Sequence, residues 1–246
     1  MTQKKPEKKV LVMMATFNGE RYIAEQVESI VMQEDVDVDL VISDDNSFDD
    51  TPIICKKLSE NYSNVFFRRN KQNVGVASNF MNMVYEADVE KYDYFAFSDQ
   101  DDVWLPNKLS VALDALKEKM DLPALYYSDI CNVDADLENP IFGEYLKFSE
   151  CSSNLKLLLV NNWASGCTMV FNQRLCKLLQ IYRPKEFPRI HDSWVHLIAL
   201  TCGICIPDLE NAYIKRRITN NNVVGESHYG KSFTKRVITA PKIIFK

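Results

Sequence analysis

The chain has 246 residues, 46% hydrophobic, 26% charged and 11% aromatic, with a formal charge of −5 at pH 7. That is enough apolar material for one sizeable core or two intimate halves, and seven Gly and nine Pro exclude collagen-like and low-complexity architectures. No apolar run approaches the roughly 18 to 20 residues that span a bilayer, and the acidic balance gives a general nucleic-acid-binding role no electrostatic footprint.

The N-terminus, MTQKKPEKKV, is charged and lacks a small-residue cleavage site, so it does not read as a secretory signal and the expected compartment is the cytoplasm. Val10–Phe17 is a continuous apolar run, as a strand buried on both faces of a parallel sheet requires. The period then changes: Ile23, Val27, Ile30 and Val31 form one helical stripe. Val38–Ser43 predicts a second strand, and Thr51 followed by Pro52 supplies an N-cap and first-turn signal for the next helix. Asn64–Arg69 predicts a third strand, Val76–Ala87 a helix and Tyr92–Ser98 a fourth strand. Pro106 opens a helix with Leu109, Leu113, Leu116 and Met120 on one face.

This alternation predicts an α/β fold, a doubly wound and mostly parallel sheet whose ligands bind beyond the carboxyl ends of the strands. The polar clusters at 16–19, 44–50 and 99–102 all fall there. The second half is less regular. It offers strands at Leu125–Ile130, Gly166–Phe171 and Gly203–Pro207, and helices near Leu155–Val160, Arg174–Tyr182 and Asp192–Thr201. Met13, Met14, Met81 and Met83 read as core. Seven scattered cysteines suit reduced thiols rather than a disulfide framework, and the Cys202-x-x-Cys205 pair lacks the further ligands of a zinc site and reads as two small hydrophobes.

After the first strand the chain reads A-T-F-N-G-E, not the G-x-G-x-x-G of a dinucleotide site, and no phosphate-binding G-x-x-x-x-G-K-[ST] loop occurs. A bound diphosphate would need a metal held by carboxylates. Asp99, Asp101 and Asp102 put three carboxylates in four residues directly after an apolar strand, and alternation lets Asp99 and Asp101 face one ion. A solvated acidic loop is the bland alternative, but burying such residues unpaired is costly.

The ordered set ATFNGERYIAEQVESI, SDDNSFDDT, NVGVASNF, SDQDDVWLPNKL, NNWASGCTMVFN and HDSW resembles the family-2 glycosyltransferases of GT-A fold, in particular the bacterial rhamnosyltransferase-like subset with S-D-Q-D-D-x-W. The resemblance covers about residues 9–225 and implies a Rossmann-like GT-A sheet with an acceptor-side α+β half. It divides the chain into a charged tail (1–8), a nucleotide-sugar-binding half (9–102), an acceptor-binding half (103–225) and a basic amphipathic segment (226–246).

The resemblance further implies that Thr16, Asn18 and Asp45 line the nucleoside pocket, Asp45 accepting from a pyrimidine imide N–H. Asp45 alternatively caps a turn with Asp44 and Ser47. Asn73, Gly75, Asn79 and Gln100 would also border the nucleotide-sugar, though the first three are equally turn and cap residues. Asp99 would touch the donor and Asp101 would coordinate Mn²⁺ or Mg²⁺. Asp192 would be the general base, where His191 replaces a more common Glu. An Asp in a helical first turn is also what dipole and capping preferences favour.

The implied reaction is metal-dependent and inverting. It moves a rhamnose, glucose or galactose type of sugar from a UDP- or dTDP-sugar to a hydroxyl of a glycan or lipid-linked acceptor in surface polysaccharide biosynthesis. The alternative is a catalytically impaired, glycosyltransferase-like subunit that binds nucleotide or glycan. One departure stands out: Thr219 occupies the place of the family's His, so either Lys215, Arg216 or Arg217 meets the diphosphate directly or metal binding is weaker than usual, with His228 close enough in sequence to substitute. Trp104, Trp163 and Trp194 are candidates for acceptor contact, with core packing as the alternative. Residues 231–246 carry five Lys or Arg and no acid among bulky apolar residues, which fits either a C-terminal helix packed on the domain or peripheral contact with the inner face of a membrane.

Overall fold

Lys9–Thr16 forms β1, the central strand of the nucleotide-side half in a computed structural model that describes residues 8–140, 162, 164–185 and 190–218. Its apolar run divides between two cores. Val10, Val12 and Met14 face one side of the sheet and Leu11 and Met13 the other, and all five are buried. This two-sided burial is why the strand shows no alternation in the sequence.

The elements follow as α1 (Ile23–Val31), β2 (Asp37–Asp44), α2 (Thr51–Asn61), β3 (Val65–Arg69), α3 (Val76–Glu86), β4 (Tyr94–Ser98), β5 (Val103–Trp104) and α4 (Lys108–Leu116). Beyond them come β6 (Ala124–Val133), a 3-10 turn at Gly166–Thr168, β7 (Val170–Asn172), α5 (Gln173–Ile181), α6 (His191–Cys202) and β8 (Ile204–Arg217). Helices α1, α2 and α4 pack on one face of the sheet, and α3, α5 and α6 on the other.

Among the described residues the strands form one sheet in the order β3-β2-β1-β4-β7-β6-β8-β5. The β3-β2-β1-β4 portion is parallel, as expected. The rest is mixed: β7 runs antiparallel to both β4 and β6, β6 and β8 are parallel, and β5 is antiparallel to β8.

Several expectations are revised. Thr51 is not the N-cap of α2 but its first residue, after Asp50. Its hydroxyl is already engaged, donating to Asp49 and accepting from the backbone N–H of Gly19. The strand expected from Gly166 starts only at Val170, because Ser165–Thr168 close a turn in which both the N–H and the hydroxyl of Thr168 bond to the Ser165 carbonyl. The strand expected at Gly203–Pro207 runs ten residues further to Arg217, through Pro207, with register shifts against β6 between Ser128 and Cys131.

The four methionines are buried. Cys202 is exposed at the end of α6 and Cys205 half-buried, so only the latter behaves as a small hydrophobe, and the six described cysteines are free thiols. No helix among the described residues is long and apolar enough to cross a membrane. Trp163, Thr219, His228, the helix expected at 155–160 and the basic segment 226–246 lie outside the described residues.

Candidate active site

The parallel strands β1, β2 and β4 end side by side, and the loops that leave them are stitched together by side chains. From the loop after β1, the Asn18 N–H donates to Ser47 Oγ at 2.9 Å, while its Oδ1 accepts from the N–H of Phe48 at 2.9 Å. Asn18 sits at φ 52°, a left-handed conformation that Asn tolerates better than most residues. Gln100 reaches back from the loop after β4: its Oε1 accepts from the Thr16 hydroxyl and from the Phe17 N–H, and its Nε2 donates to the Phe17 carbonyl at 3.1 Å. Phe17 and Phe48, 39% and 82% exposed, meet edge to face at 5.8 Å beside these loops.

Asp45 is buried and accepts three hydrogen bonds, from Asn70 Nδ2, the Val74 N–H and the Gly75 N–H, each at 2.9 Å. It therefore ties the end of β2 to the loop that leads into α3. Gly75 serves that loop at φ 82°, where a side chain would be strained, and Asn73 Oδ1 also accepts from its N–H. Asn79 is 1% exposed and its amide bonds with Ser43 and Asn70, which holds β2 to α3.

The carboxylates after β4 form a charged cluster. Burial and then the neighbouring Asp101 carboxylate push the Asp99 pKa up to about 7, against the pull of Arg216. Asp101 is also raised by burial, with Arg217 and Arg216 opposing. Asp102 is 0% exposed and driven well above the carboxylate range by burial and then by Asp99 and Asp101. Neither of its oxygens has a hydrogen-bond partner with good geometry, and the Cys167 thiol faces both it and Asp99.

Asp192 arrives from the opposite side of the sheet order, at the start of α6. Its Oδ2 accepts from the Gly166 N–H at 3.2 Å and its charge contributes to the raised pKa of Asp99, so the two carboxylates face one another electrostatically. Burial raises Asp192 itself to about 6. Beside it, His191 stacks on Phe80 at 4.1 Å and meets Phe97 edge-on at 5.1 Å, with both ring nitrogens unpartnered. Burial lowers its pKa to about 3, so it packs as a neutral ring.

The basic residues divide their work. Arg216 is 9% exposed, donates to Asn132 Oδ1 at 2.9 Å and supplies positive charge that opposes the raised pKa values of Asp99, Asp101 and Asp102. Arg217 is 2% exposed, donates to the backbone carbonyls of Asp101 and Ala135, and pairs with Glu25 while lying over the Tyr22 ring. It thereby anchors the acidic loop through the backbone of Asp101. Trp104 is likewise buried at 2%, with Lys108 Nζ 3.5 Å from its ring centre, and Trp194 lies half-buried against the α3–α5–α6 core.

The sequence reading did not assign roles to Cys167, Gly166, Lys108 or Asp102. Asp102 at least carried a signal, as the third acid of the motif.

A family model described as "Glycosyl transferase family 2" matches residues 11–173. The chain belongs to that family. Among similar family-2 sequences, a dTDP-rhamnosyl transferase of Shigella flexneri, RfbG, is 44% identical over 106 residues, 42% of this chain and 36% of that protein. A UDP-Glc:alpha-D-GlcNAc-diphosphoundecaprenol beta-1,3-glucosyltransferase of Escherichia coli, WfgD, is 26% identical over 80% of this chain and 75% of its own. The match thus takes in about a third of the first protein and three quarters of the second. Among solved structures, S. aureus TarS 1–349 in complex with UDP-GlcNAc aligns with a TM-score of 0.66 at 20% identity, over 97% of this chain and 67% of that one, which supports the GT-A fold.

Proposed function

We propose that this family-2 chain is an inverting, cation-dependent glycosyltransferase. It moves a sugar from a UDP- or dTDP-sugar to a hydroxyl of a glycan or lipid-linked acceptor, at the cytoplasmic face of a membrane, in surface polysaccharide assembly. The observation that supports this reading is the run of carboxylates at Asp99, Asp101 and Asp102 directly after β4, where Asp99 also feels the charge of Asp192 from α6. The dTDP-rhamnosyl transferase of Shigella and the UDP-Glc:alpha-D-GlcNAc-diphosphoundecaprenol glucosyltransferase of Escherichia support the donor and acceptor classes.

The donor set fits a hard divalent cation, because Asp99 and Asp101 bring two carboxylates together on one buried loop, and burial raises the pKa of each, as in a carboxylate short of positive charge. Asp99 and Asp101 would hold Mn²⁺ or Mg²⁺, which offsets the charge that builds on a departing diphosphate. On the nucleoside side, three of the roughly four lone-pair directions of Asp45 are taken, which leaves one for an imide N–H. Uracil and thymine offer that donor at N3, whereas cytosine offers an acceptor.

In the reaction the acceptor oxygen bonds to the anomeric carbon as the bond from that carbon to the diphosphate oxygen breaks, its electron pair leaving with the diphosphate. Asp192 takes the acceptor hydroxyl proton. A base near pKa 6 is ionised at neutral pH and still basic enough to accept that proton.

Thermal unfolding with UDP, dTDP, GDP and CDP, each with and without Mn²⁺, tests the donor reading. A ligand at about 100 times its Kd adds about 2.7 kcal/mol, a shift of roughly 5 to 10 °C for a chain of this size. A Mn²⁺-dependent shift with UDP or dTDP that Asp101→Asn abolishes is the expected result. No shift with any nucleotide would overturn it. Nucleotide binding without transfer to any acceptor would instead favour a catalytically impaired subunit.

A further inference from the structure

The carboxylates of Asp99 and Asp102 and the sulfur of Cys167 lie within 4.8 Å of one another. The cluster runs inward from half-buried Asp99 to Asp102 and Cys167, which are 0% and 1% exposed. A folded interior rarely leaves a carboxylate with two orphaned acceptors unless something meets them. Lys108 places its Nζ over the Trp104 ring and makes no hydrogen bond to Asp102, whose two oxygens lie unpartnered beside Asp99 and Cys167.

We propose that Asp99, Asp102 and Cys167 form a binding site for a thiophilic divalent cation such as Zn²⁺. The donor set differs from that of the Asp99–Asp101 edge in its sulfur, and a thiolate shifts preference from Mg²⁺ and Mn²⁺ toward Zn²⁺ and Cd²⁺. Two carboxylates and one thiolate give three protein ligands with a fourth position open, a familiar zinc arrangement. Bond lengths near 2.0–2.3 Å need ligand atoms closer than 4.8 Å, by about 1 Å, a contraction that side-chain rotation of Asp99 can supply. Binding expels the Cys167 thiol proton to solvent.

Two consequences follow from where the ligands sit. Asp99 is shared with the proposed donor cation, so Zn²⁺ at this site would exclude Mn²⁺ from its partner carboxylate, a consequence that rests on the donor reading above. Cys167 lies on the same 3-10 turn whose Gly166 N–H holds Asp192, so an ion bound to the sulfur also restrains the proposed base.

The test uses the full chain, reduced and stripped of metal, titrated with Cd²⁺ alone while thiolate-to-cadmium charge-transfer absorbance is followed in the ultraviolet, with Zn²⁺ as competitor. Wild type should exceed Cys167→Ser by a one-thiolate band that saturates at one equivalent and is displaced by Zn²⁺. Asp102→Asn should weaken that component at least tenfold, while Asp101→Asn and Cys202→Ser keep it. An unchanged band in Cys167→Ser, or wild-type affinity in Asp102→Asn, would overturn the site. Mn²⁺-dependent stabilisation by UDP or dTDP, measured in parallel on wild type, fails separately if the donor reading alone is wrong.

Discussion

The guanidinium of Arg217, on the last strand of the sheet, donates to the backbone carbonyl of Asp101 at 2.9 Å across 116 residues of sequence. It reaches that carbonyl while bound to Ala135 and Glu25 and stacked over Tyr22, so four parts of the chain meet at one buried cation. The loop that carries the Asp101 carboxylate is thus anchored by Arg217 through its backbone.

Replacing Arg217 by Gln should destabilise the fold by roughly 2 to 4 kcal/mol, since charged hydrogen bonds contribute about 1.5 to 3 kcal/mol each and Glu25 stays partly solvated. Urea unfolding measures that loss. The Mn²⁺ concentration needed for half-maximal nucleotide stabilisation should rise as well, and an unchanged value would mean that the Asp101 loop holds its shape unaided.

Asp192→Asn should lower kcat by about 10²- to 10⁴-fold with little change in donor KM. Wild-type activity should fall as pH drops below about 6, following protonation of the base. A variant that loses donor affinity and turnover equally would place Asp192 at the donor rather than the acceptor.

The same residue makes a stability prediction with a definite sign. Its folded pKa of about 6 lies above the ordinary Asp value of 3.8. Below about pH 4 both states are protonated and burial carries no penalty. As pH rises through 6 stability is lost, up to about 3 kcal/mol. The unfolding free energy of Asp192→Asn minus that of wild type should therefore grow between about pH 4 and pH 6 and be level above. A difference that shrinks over that window would contradict the raised pKa.

At Gly166 an added Cβ would lie 2.7 Å from His191 Nε2 and 3.5 Å from the Asp192 Cβ. His191 cannot yield, because Phe80 and Phe97 pin its ring. Gly166→Ala should cost about 1 to 3 kcal/mol and lower turnover through displacement of Asp192. Adding His191→Ala should recover part of the stability lost to the methyl group, a coupling that a double-mutant cycle reads directly.

The strands β1 to β4 and their helices were legible because each apolar run is bounded by a change of period. β8 was not. Its sequence ICIPDLENAYIKRR contains a proline and five charges, and its strand character comes from pairing with β6 and β5 far away in the chain. The acids of the site were legible as a motif. Gly166 and Arg217 were opaque as positioning groups because one acts through its N–H and the other upon a carbonyl, and backbone groups leave no signature in side-chain patterns. Lys108 resembled an ordinary solvated lysine near a helix start, yet it is 1% exposed.

The late position of β8 bears on how the protein is made. The Arg217 contacts to Asp101 and Glu25 close loops of 116 and 192 residues, among the longest the chain forms. Such contacts are slow to find and are absent from any shorter nascent chain. During synthesis the parallel strands can pair first, but the acidic loop gains its anchor only when the C-terminal strand has emerged and docked.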